Sequence, residues 1–489
     1  MKGDGDTRQE MPGRWRRAIT GLVVSAVLVI PCFWQSRIQA GDLSSHIYNA
    51  WLHALISQGS VKGLRVVRQS NNVLFDFALD WLLPRVGADA AQRIAVAACV
   101  LIFAWGAIAF VWRVGGRNGW LIVACVAMMS YGFVYHMGFF NFYVSLGIGF
   151  WYLAIFWRAP WRIRVLAAPL LLLAWFAHPL PVAWAVATAA YSAAAQASPP
   201  KWRMRLLALA LATIAGARYF LEYRYRCAWS AQQAFSMTGG GQVLVFDGKY
   251  SWVFAGLSLV WITLLLQLFL RQRQSLTREI SLQLWLLCAA GTLLIPGIIV
   301  FPGYGLPFSF VTERLSLMAG ISLCAVVAGA PVKLRENLIM LATALAFFTF
   351  IYVDTRKLNQ EEDQIDALVA AVPRDARVIA SFPAPHAQVN GMLHMVDRAC
   401  IGHCFSYGNY EPSSRQFRIR AQAANGVVFD DYADVGATET GKYRVQPRDL
   451  PLYGVYFCDG HGPAICSRWL RAGEVVGQLA NDSGAGQTP

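Results

Sequence analysis

The stretch from Gly41 to Trp51 gathers polar side chains directly after the first apolar run of the chain. Asp42 offers a carboxylate that can accept a proton, and His46 and Asn49 offer an imidazole and an amide that can form hydrogen bonds. On a helix, this spacing places all three side chains on one face. The pattern predicts a polar stripe held at a bilayer surface. The alternative is that Asp42 caps a short amphipathic helix and has no other role.

The composition indicates a membrane protein. Of 489 residues, 56% are hydrophobic and only 14% are charged, whereas soluble domains carry about 25% charged residues. The net charge of +14 does not predict nucleic-acid binding. The Lys and Arg residues lie in short clusters between apolar runs, as membrane topology requires, and form no single basic patch.

The apolar runs predict a mainly α, polytopic fold with about eleven spanning helices, each near the ~20 residues that cross a bilayer. The predicted spans are 18–34, 91–112, 120–138, 139–157, 161–177, 180–197, 205–221, 250–270, 281–301, 315–332 and 336–353. Residues 18–354 thus form the membrane domain.

Basic residues predict the orientation of these spans. Arg14, Arg16 and Arg17 precede the first run, so residues 1–17 are expected in the cytoplasm. Every second connector is then basic. These connectors carry Arg113 and Arg117; Arg158, Arg162 and Arg164; Lys201, Arg203 and Arg205; Arg271, Arg273 and Arg278; Lys333 and Arg335. The loop 35–90 and the C-terminus are expected outside. Alternatively, the first run is a signal peptide cleaved near Ala40.

With this topology, polar side chains at the ends of several apolar runs meet on the outer side. They are Asp42, His46, His136, Asn141, His178, Tyr304, Glu313 and Arg314. Such groups are costly at membrane depth, so their placement predicts a shared extracytoplasmic site. Singly, each also fits a structural role, because a histidine can cap a helix and Glu313 can pair locally with Arg314.

Beyond residue 354 the hydropathy falls, and residues 355–489 predict a small extracytoplasmic α/β domain. The patterns predict an amphipathic helix over 361–372 and strands over 377–381 and 453–457.

Four cysteines in this domain predict disulfides in an oxidising compartment, with the pairing left open. They are Cys400, Cys404, Cys458 and Cys466. The segment Cys400–Cys404 could instead contribute to a metal site, although its spacing is not a standard zinc pattern. No cofactor is predicted, and a divalent metal stays an open alternative without a clear ligand motif.

The overall layout resembles the GT-C superfamily of membrane glycosyltransferases. A carboxylate follows the first span, in a long external loop with two amphipathic helices, and many spans and an external C-terminal domain come after it. The matching residues are Gly41-Asp42 and the amphipathic segments 43–58 and 71–83. The stretches 136–143 and 410–417 are similar to segments of bacterial members. Many members carry an acidic pair after the first span, whereas Leu43 follows Asp42 here.

This resemblance implies a bacterial inner-membrane enzyme that moves a sugar from a polyprenyl-phosphate carrier to an external glycan, lipid or protein acceptor. Asp42 then stands at the position of the general base, with His46 beside it. The leaving phosphate needs cationic donors. The candidates are Arg314, Arg65, Arg68, Arg224 and Arg226. His46 and His178 could hold the acceptor or a phosphate oxygen.

Two other classes of function compete with this interpretation. A transporter or flippase for a lipid-linked substrate predicts internal repeats and helices broken at mid-membrane, and the sequence has no clear repeat of its halves. A non-catalytic membrane assembly protein predicts that Asp42→Asn is silent.

Overall fold

The computed structural model describes residues 7–116, 119–384, 387–422, 425–458 and 464–477, and the fold is mainly helical. The helices are α1 (Thr7–Val29), α2 (Leu43–Ser57), α3 (Leu74–Val114), α4 (Gly119–Ser130), α5 (Phe133–His136), α6 (Phe140–Phe156), α7 (Trp161–Leu166), α8 (Ala168–Ala177), α9 (Pro179–Ala197), α10 (Pro200–Arg224), α11 (Gln233–Ser236), α12 (Tyr250–Gln272), α13 (Ile280–Leu294), α14 (Val311–Val327), α15 (Leu334–Ala370), α16 (Met395–Ala399), α17 (Tyr410–Ser414) and α18 (Tyr432–Glu439). Arg117 and the ends of the predicted terminal segments, 1–6 and 478–489, lie outside the described residues.

Short strands form three small sheets. The strands are β1 (Leu64–Val66), β2 (Arg226–Ala228), β3 (Ile298–Val300), β4 (Arg377–Ser381), β5 (Phe405–Ser406), β6 (Ile419–Ala421), β7 (Tyr453–Phe457) and β8 (Ile465–Trp469). β1 pairs antiparallel with β6, and β2 pairs antiparallel with β3. The third sheet has the order β5-β4-β7-β8, in which only β7 and β8 are antiparallel neighbours.

Six helical segments among the described residues are long and apolar enough to cross a membrane. They are Trp15–Cys32, Leu74–Val114, Gly119–His136, Pro200–Arg224, Tyr250–Gln272 and Leu334–Ala370. Large apolar side chains such as Leu209, Leu270 and Leu345 remain exposed on α10, α12 and α15. Exposed apolar surface of this extent suits contact with lipid tails. The chain is therefore a mainly helical membrane protein.

The predicted count of about eleven spans is not confirmed. The predicted spans 139–157 and 281–301 correspond to α6 and α13, which have 17 and 15 residues. The run 161–177 is divided between α7 and α8, which have 6 and 10 residues. Almost every side chain of α6 is buried against other helices. Hydropathy alone does not separate a helix buried in protein from one facing lipid.

The helix α3 joins two segments that the sequence suggested were separate. Its 41 residues include the predicted span 91–112. They also include the second amphipathic stretch, 71–83, except for its first three residues. A bend at Gly87, with φ 79° and ψ 169°, marks the change between them. Only glycine adopts this backbone conformation readily, so the polar start of α3 can lean toward the site while its apolar part stays among the helices.

Two glycines let α3 and α6 approach closely at the centre of the helical region. A Cβ atom on Gly106 would lie 2.4 Å from the Gly147 carbonyl oxygen, and one on Gly147 would lie 2.7 Å from the Phe103 Cα. Small residues at such crossings allow backbone-to-backbone packing in membrane helices. This close contact fixes α6, which carries Asn141 of the site at its start.

The C-terminal segment contains the predicted strands 377–381 and 453–457, which are β4 and β7. The predicted helix 361–372 is not separate, because α15 runs without a break from Leu334 to Ala370 and crosses the expected domain boundary at 354. Tyr48 and Leu52 of α2 share one apolar cluster with Val396 and Val455. The segment after α1 and the C-terminal segment therefore have a common core.

A buried Arg398 joins these parts. Its Nε and Nη2 atoms donate to both oxygens of Glu362 on α15, each at 2.7 Å. Its Nη1 atom donates to the Ile38 carbonyl oxygen at 3.1 Å and to Gln92 Oε1 on α3 at 2.9 Å. The planar guanidinium can satisfy several acceptors at once, which makes arginine suited to such a junction.

The four C-terminal cysteines form two local disulfides, Cys400–Cys404 and Cys458–Cys466. The first disulfide leaves no free thiolate in the segment that could otherwise have contributed to a metal site. The cysteines within apolar runs, at positions 99, 125, 288 and 324, are free.

We expect non-reducing mass spectrometry of the protein purified from membranes to find only these two linkages. Both pairs close short loops, of sequence separation 4 and 8, so proteolysis should yield each loop as an internally bridged unit. The buried cysteines at positions 99, 125 and 324 serve as a control, because they should react with thiol reagents only after unfolding. A linkage between the two loops would contradict the pairing.

Candidate functional site

Four helices begin at the wall of one cavity. Their starts are Leu43 of α2, Phe140 of α6, Pro179 of α9 and Val311 of α14. The cavity has a volume of about 650 Å³ and is lined at these starts by Asp42, Asn141, Pro179 and Phe310. The N-terminus of a helix carries partial positive charge, so a cavity bordered by several of them favours an anion. At α9 only this partial charge contributes, because Pro179 and Pro181 lack N–H groups and His178 accepts the Leu180 N–H.

The cavity brings together half of the predicted site residues. These are Asp42, His46, Asn141, His178, Tyr304 and Arg314. They come from the segment between α1 and α3, from three connections between apolar helices and from the start of α14. The polar side chains are set among phenylalanines of the same wall, at positions 139, 142, 301, 308, 310 and 417. The site is therefore a mainly apolar cavity with a few convergent polar groups, as ligand sites usually are.

The position of Asp42 is fixed by its backbone. The Gly41 N–H donates to the His136 carbonyl oxygen at 2.8 Å, and the Asp42 N–H donates to the Met137 carbonyl oxygen at 3.0 Å. Gly138, with φ +81°, lies so close that a Cβ atom there would be 2.5 Å from the Asp42 nitrogen. The α4–α6 connection thus holds the start of α2 by direct backbone contact.

The Asp42 side chain does not cap α2. Asp42 occupies the N-cap position, but its carboxylate makes no capping hydrogen bond. Its side chain is 21% exposed and borders the cavity. The carboxylate is therefore available for another partner.

That partner is His394, which the sequence did not suggest. His394 Nε2 lies 3.5 Å from Asp42 Oδ1, and His394 Nδ1 lies 3.2 Å from Asp397 Oδ2. Ser406 donates in turn to the other oxygen of Asp397. Asp42, His394 and Asp397 form a row in which the imidazole can hold the Asp42 carboxylate in place. No local pattern around position 394 could have revealed this row, because Asp42 is far from His394 and Asp397 in the chain.

His46 forms a different buried cluster. Its Nδ1 atom lies 2.8 Å from Asp76 Oδ1, and Asn141 donates to Asp76 Oδ2 at 2.8 Å. Asn141 also accepts the Phe75 N–H at 2.8 Å, which fixes the amide orientation. Glu411 Oε1 lies 3.9 Å from the same nitrogen of His46. Asp76, which the sequence indicated only as part of an amphipathic face, is therefore a central residue of this cluster.

Charge interactions shift two pKa values in this cluster. Burial alone would lower the pKa of His46, but Asp76, together with Glu411 and Asp42, raises it to about 9. Burial, with the nearby charge of Asp76, raises the pKa of Glu411 to about 8. At neutral pH the cluster is thus a protonated imidazole and an ionised Asp76 beside a carboxyl group that keeps its proton.

The same three residues could hold a divalent cation. Ligand atoms of His46, Asp76 and Glu411 all lie within 4.8 Å of one another. One imidazole and two carboxylates form a reasonable ligand set for a transition metal. Binding would replace the present bond between His46 and Asp76 and would need a deprotonated Glu411. The sequence carried no ligand motif for this cluster, because its members come from α2, α3 and α17.

Arg314 enters the cavity from the first turn of α14. Its Nη1 atom donates to the Ser309 carbonyl oxygen at 2.7 Å, and its guanidinium carbon lies 4.2 Å from the centre of the Phe139 ring. Its Nε atom is buried without a hydrogen-bond partner among the described residues. His178 caps α9 through Nδ1, which accepts the Leu180 N–H at 3.2 Å. A bound anion would give Arg314 the partner that it lacks.

The other predicted site residues do not line this cavity. His136 is buried beneath it and directs Nδ1 to the Gln39 carbonyl oxygen. Glu313 contributes its backbone carbonyl oxygen to Gln242 and makes no ion pair with Arg314 within hydrogen-bonding distance among the described residues. Four arginines are exposed on β1, on β2 or near them, at positions 65, 68, 224 and 226. Arg68 follows β1 and Arg224 ends α10, and none of the four arginines lines the cavity.

We predict that stability depends on pH through His394. Burial would lower its pKa, but Asp397 and Asp42 raise it to about 10, with Glu439 and the Tyr410 ring also beside it. A pKa that rises on folding stabilises the folded protein. This stabilisation is complete below about pH 6.5 and is lost as the pH rises toward 10. The unfolding temperature in detergent should therefore fall over this range.

The variant His394→Gln should show a shallower fall, because it lacks the titrating group. His403→Gln is the matched control, since His403 bonds the Val372 carbonyl oxygen instead of a carboxylate, and it should keep the wild-type slope. Equal slopes for wild type and His394→Gln would contradict the assignment.

We also expect Asp76→Asn to destabilise the protein by about 1–3 kcal/mol. The NH₂ group of the new amide would face either Asn141 or His46. Both of these groups are donors themselves, so two donors would face each other in a buried position. Asp363→Asn is the control, because this side chain is 62% exposed in its pair with Arg37, and surface pairs contribute less than about 1 kcal/mol. Denaturant unfolding in micelles measures both changes, and equal losses would argue against the cluster.

No protein-family model, curated protein or solved structure matches this chain.

Proposed function

We propose that this protein is a membrane glycosyltransferase that moves a sugar from a polyprenyl-phosphate carrier to an extracytoplasmic acceptor, with Asp42 as the general base. One observation carries the proposal. The Asp42 carboxylate makes no capping bond and borders the same cavity as Arg314, whose buried Nε lacks a partner. A base and an anion-binding group thus border one space, which transfer from a phosphate requires.

The acceptor side of the reaction rests on Asp42. Carboxylates serve as general bases when a positioned substrate hydroxyl lies within hydrogen-bond reach. His394 acts as a positioning residue, because its Nε2 atom lies 3.5 Å from one Asp42 oxygen and leaves the other oxygen for the acceptor. The proton of the attacking hydroxyl passes to that oxygen.

The donor side of the reaction rests on Arg314 and the helix starts. As the acceptor oxygen forms a bond to the anomeric carbon, the bond from that carbon to the phosphate oxygen breaks, and the phosphate keeps the electron pair. The positive ends of α2, α6, α9 and α14 border the space where this charge develops. Arg314 adds a full positive charge in a part-buried position, where electrostatic stabilisation is stronger than in water.

The apolar wall of the cavity suits the carrier lipid. Most of its phenylalanines lie on the connections before α6 and α14 or in α6, on the same elements as the polar groups. A prenyl chain that leaves the cavity here would pass onto the exposed apolar faces of the spanning helices. In this proposal the enzyme lies in the bacterial inner membrane with its site on the extracytoplasmic side.

We predict that Asp42→Asn lowers transfer by roughly 10²–10⁴-fold, the usual contribution of a general base. Asparagine keeps the shape of the side chain but cannot take the proton. The assay is sugar transfer in proteoliposomes, with a screen of polyprenyl-phosphate sugars as donors. The control is Asp89→Asn, an exposed carboxylate of the same external loop, which should transfer at the wild-type rate. Near-normal transfer by Asp42→Asn beside an active wild type would reject the proposal.

Arg314→Gln separates the two halves of the site. It should weaken binding of polyprenyl phosphate as well as turnover, whereas Asp42→Asn should still bind this lipid. A flippase would give a different result, because carrier movement across the bilayer would then survive Asp42→Asn and no sugar would be transferred by the wild type.

A further inference from the structure

A second cavity adjoins the first. It has a volume of about 800 Å³ and lies among four loops, which precede α3, α14 and α18 and follow α17. The two cavities share five residues of their walls: Gln69, Asn71, Tyr304, Gln416 and Tyr432. Gln416 also donates to the Leu306 carbonyl oxygen at 3.2 Å, which joins the loops at the boundary. A ligand in the second cavity would therefore end beside the first.

The walls of the two cavities differ in chemistry. The second has no phenylalanine in its wall, and its aromatic residues are Tyr304 and Tyr432. The remaining side chains are amides, hydroxyls, guanidinium groups and carboxylates. They belong to Gln69, Asn71, Ser413, Ser414, Arg415, Gln416, Arg420, Asp430 and Asp431. A lipid tail would leave these polar groups without water or partners, at a cost in free energy.

The charges of this wall are balanced. Arg415 and Arg420 face the cavity together with Asp430 and Asp431. A polyanion would meet the two carboxylates, and a polycation would meet the two guanidinium groups, so neither finds a complementary surface. A neutral ligand with many hydroxyl groups can use both kinds of charge as hydrogen-bond partners.

Several polar groups of the wall have no partner among the residues that the structure describes. Within the described part of the chain, the side chains of Asn71 and Arg415 and the hydroxyls of Tyr304 and Tyr432 make no hydrogen bond. The side-chain carbonyl oxygen of Gln69 is buried and also lacks a partner. Buried polar atoms are normally satisfied, so an unsatisfied one at a cavity wall indicates a ligand or water. The wall offers both donors and acceptors. A ligand hydroxyl group can use both, because it donates one hydrogen bond and accepts others.

We infer that the second cavity binds an oligosaccharide and delivers its terminal hydroxyl to Asp42. Sugar rings present hydroxyls at their edges and C–H groups on their faces. The hydroxyls suit the amides and charged groups, and the ring faces suit Tyr304 and Tyr432. The role as acceptor rests on the proposed glycosyltransferase function, whereas the binding of the sugar chain does not.

The experiment uses the full chain in nanodiscs and measures glycan binding without any donor. The probes are immobilised neutral oligosaccharides of glucose, mannose, galactose, arabinose and N-acetylglucosamine, with sialylated glycans and an acidic peptide for comparison. We expect the wild type to bind at least one neutral oligosaccharide and to bind the acidic probes at least tenfold more weakly.

A blocking variant tests the location. A Cβ atom on Gly305 would lie 3.7 Å from the Ser414 carbonyl oxygen and 3.9 Å from the Tyr432 Cβ, between two wall residues. Gly305→Trp should therefore fill the cavity and lower glycan affinity at least tenfold. Gly248→Trp is the matched control, because this exposed glycine has open space around it, and it should bind like the wild type.

A second variant changes chemistry without filling space. Arg415 has φ +58°, a conformation that asparagine tolerates better than most residues. Arg415→Asn should keep the fold and lower glycan affinity several-fold, while polyprenyl phosphate binding stays unchanged. If Gly305→Trp and Arg415→Asn both bind glycans like the wild type, or if no neutral oligosaccharide binds, the inference is overturned.

The two proposals can fail separately. Loss of transfer in Asp42→Asn without any glycan binding at the second cavity would keep the enzyme and reject the oligosaccharide acceptor. Cavity-dependent glycan binding with unaffected transfer in Asp42→Asn would keep the glycan site and reject the catalytic base.

Discussion

The buried guanidinium of Arg398 is the contact on which the site depends. It joins α15 through Glu362, the segment before Asp42 through the Ile38 carbonyl oxygen, and α3 through Gln92. Removing one partner from such a buried pair typically costs about 3–5 kcal/mol, because a charge is left uncompensated. Arg398 follows His394 by about one helical turn. The contacts of Arg398 with Glu362 and the Ile38 carbonyl oxygen therefore also help to set the distance between His394 and Asp42.

The chain must keep polar groups beside lipid, where unpaired polar groups are costly. The spanning helices present apolar side chains outward, while the connections at one end of several helices carry the polar groups of the cavity. Backbone contact between Gly41–Asp42 and the connection before α6 then fixes the start of α2. His394, with Nε2 at 3.5 Å from one Asp42 oxygen, orients the carboxylate.

The C-terminal segment is an integral part of this site. It supplies His394, Asp397 and Glu411, and α2 packs into its apolar cluster. It also builds most of the wall of the second cavity. A mainly apolar cavity and a polar cavity thus adjoin each other, and Asp42 borders the apolar one.

The sequence by itself determined what depends on near neighbours in the chain. The helical period predicted α2, β propensity predicted β4 and β7, and hydropathy identified the chain as a membrane protein. Asp42 stood out because it directly follows an apolar run.

Only the tertiary structure decided which side chains meet. His394, Asp76 and Glu411 lie far from Asp42 and His46 in the chain, and packing of α16, α3 and α17 against α2 brings them together. The span count is not confirmed for the same reason, because an apolar helix such as α6 can be buried by protein as well as by lipid. Local patterns show which side chains of a segment must be buried. Which surface buries them depends on packing between segments that are distant in the chain.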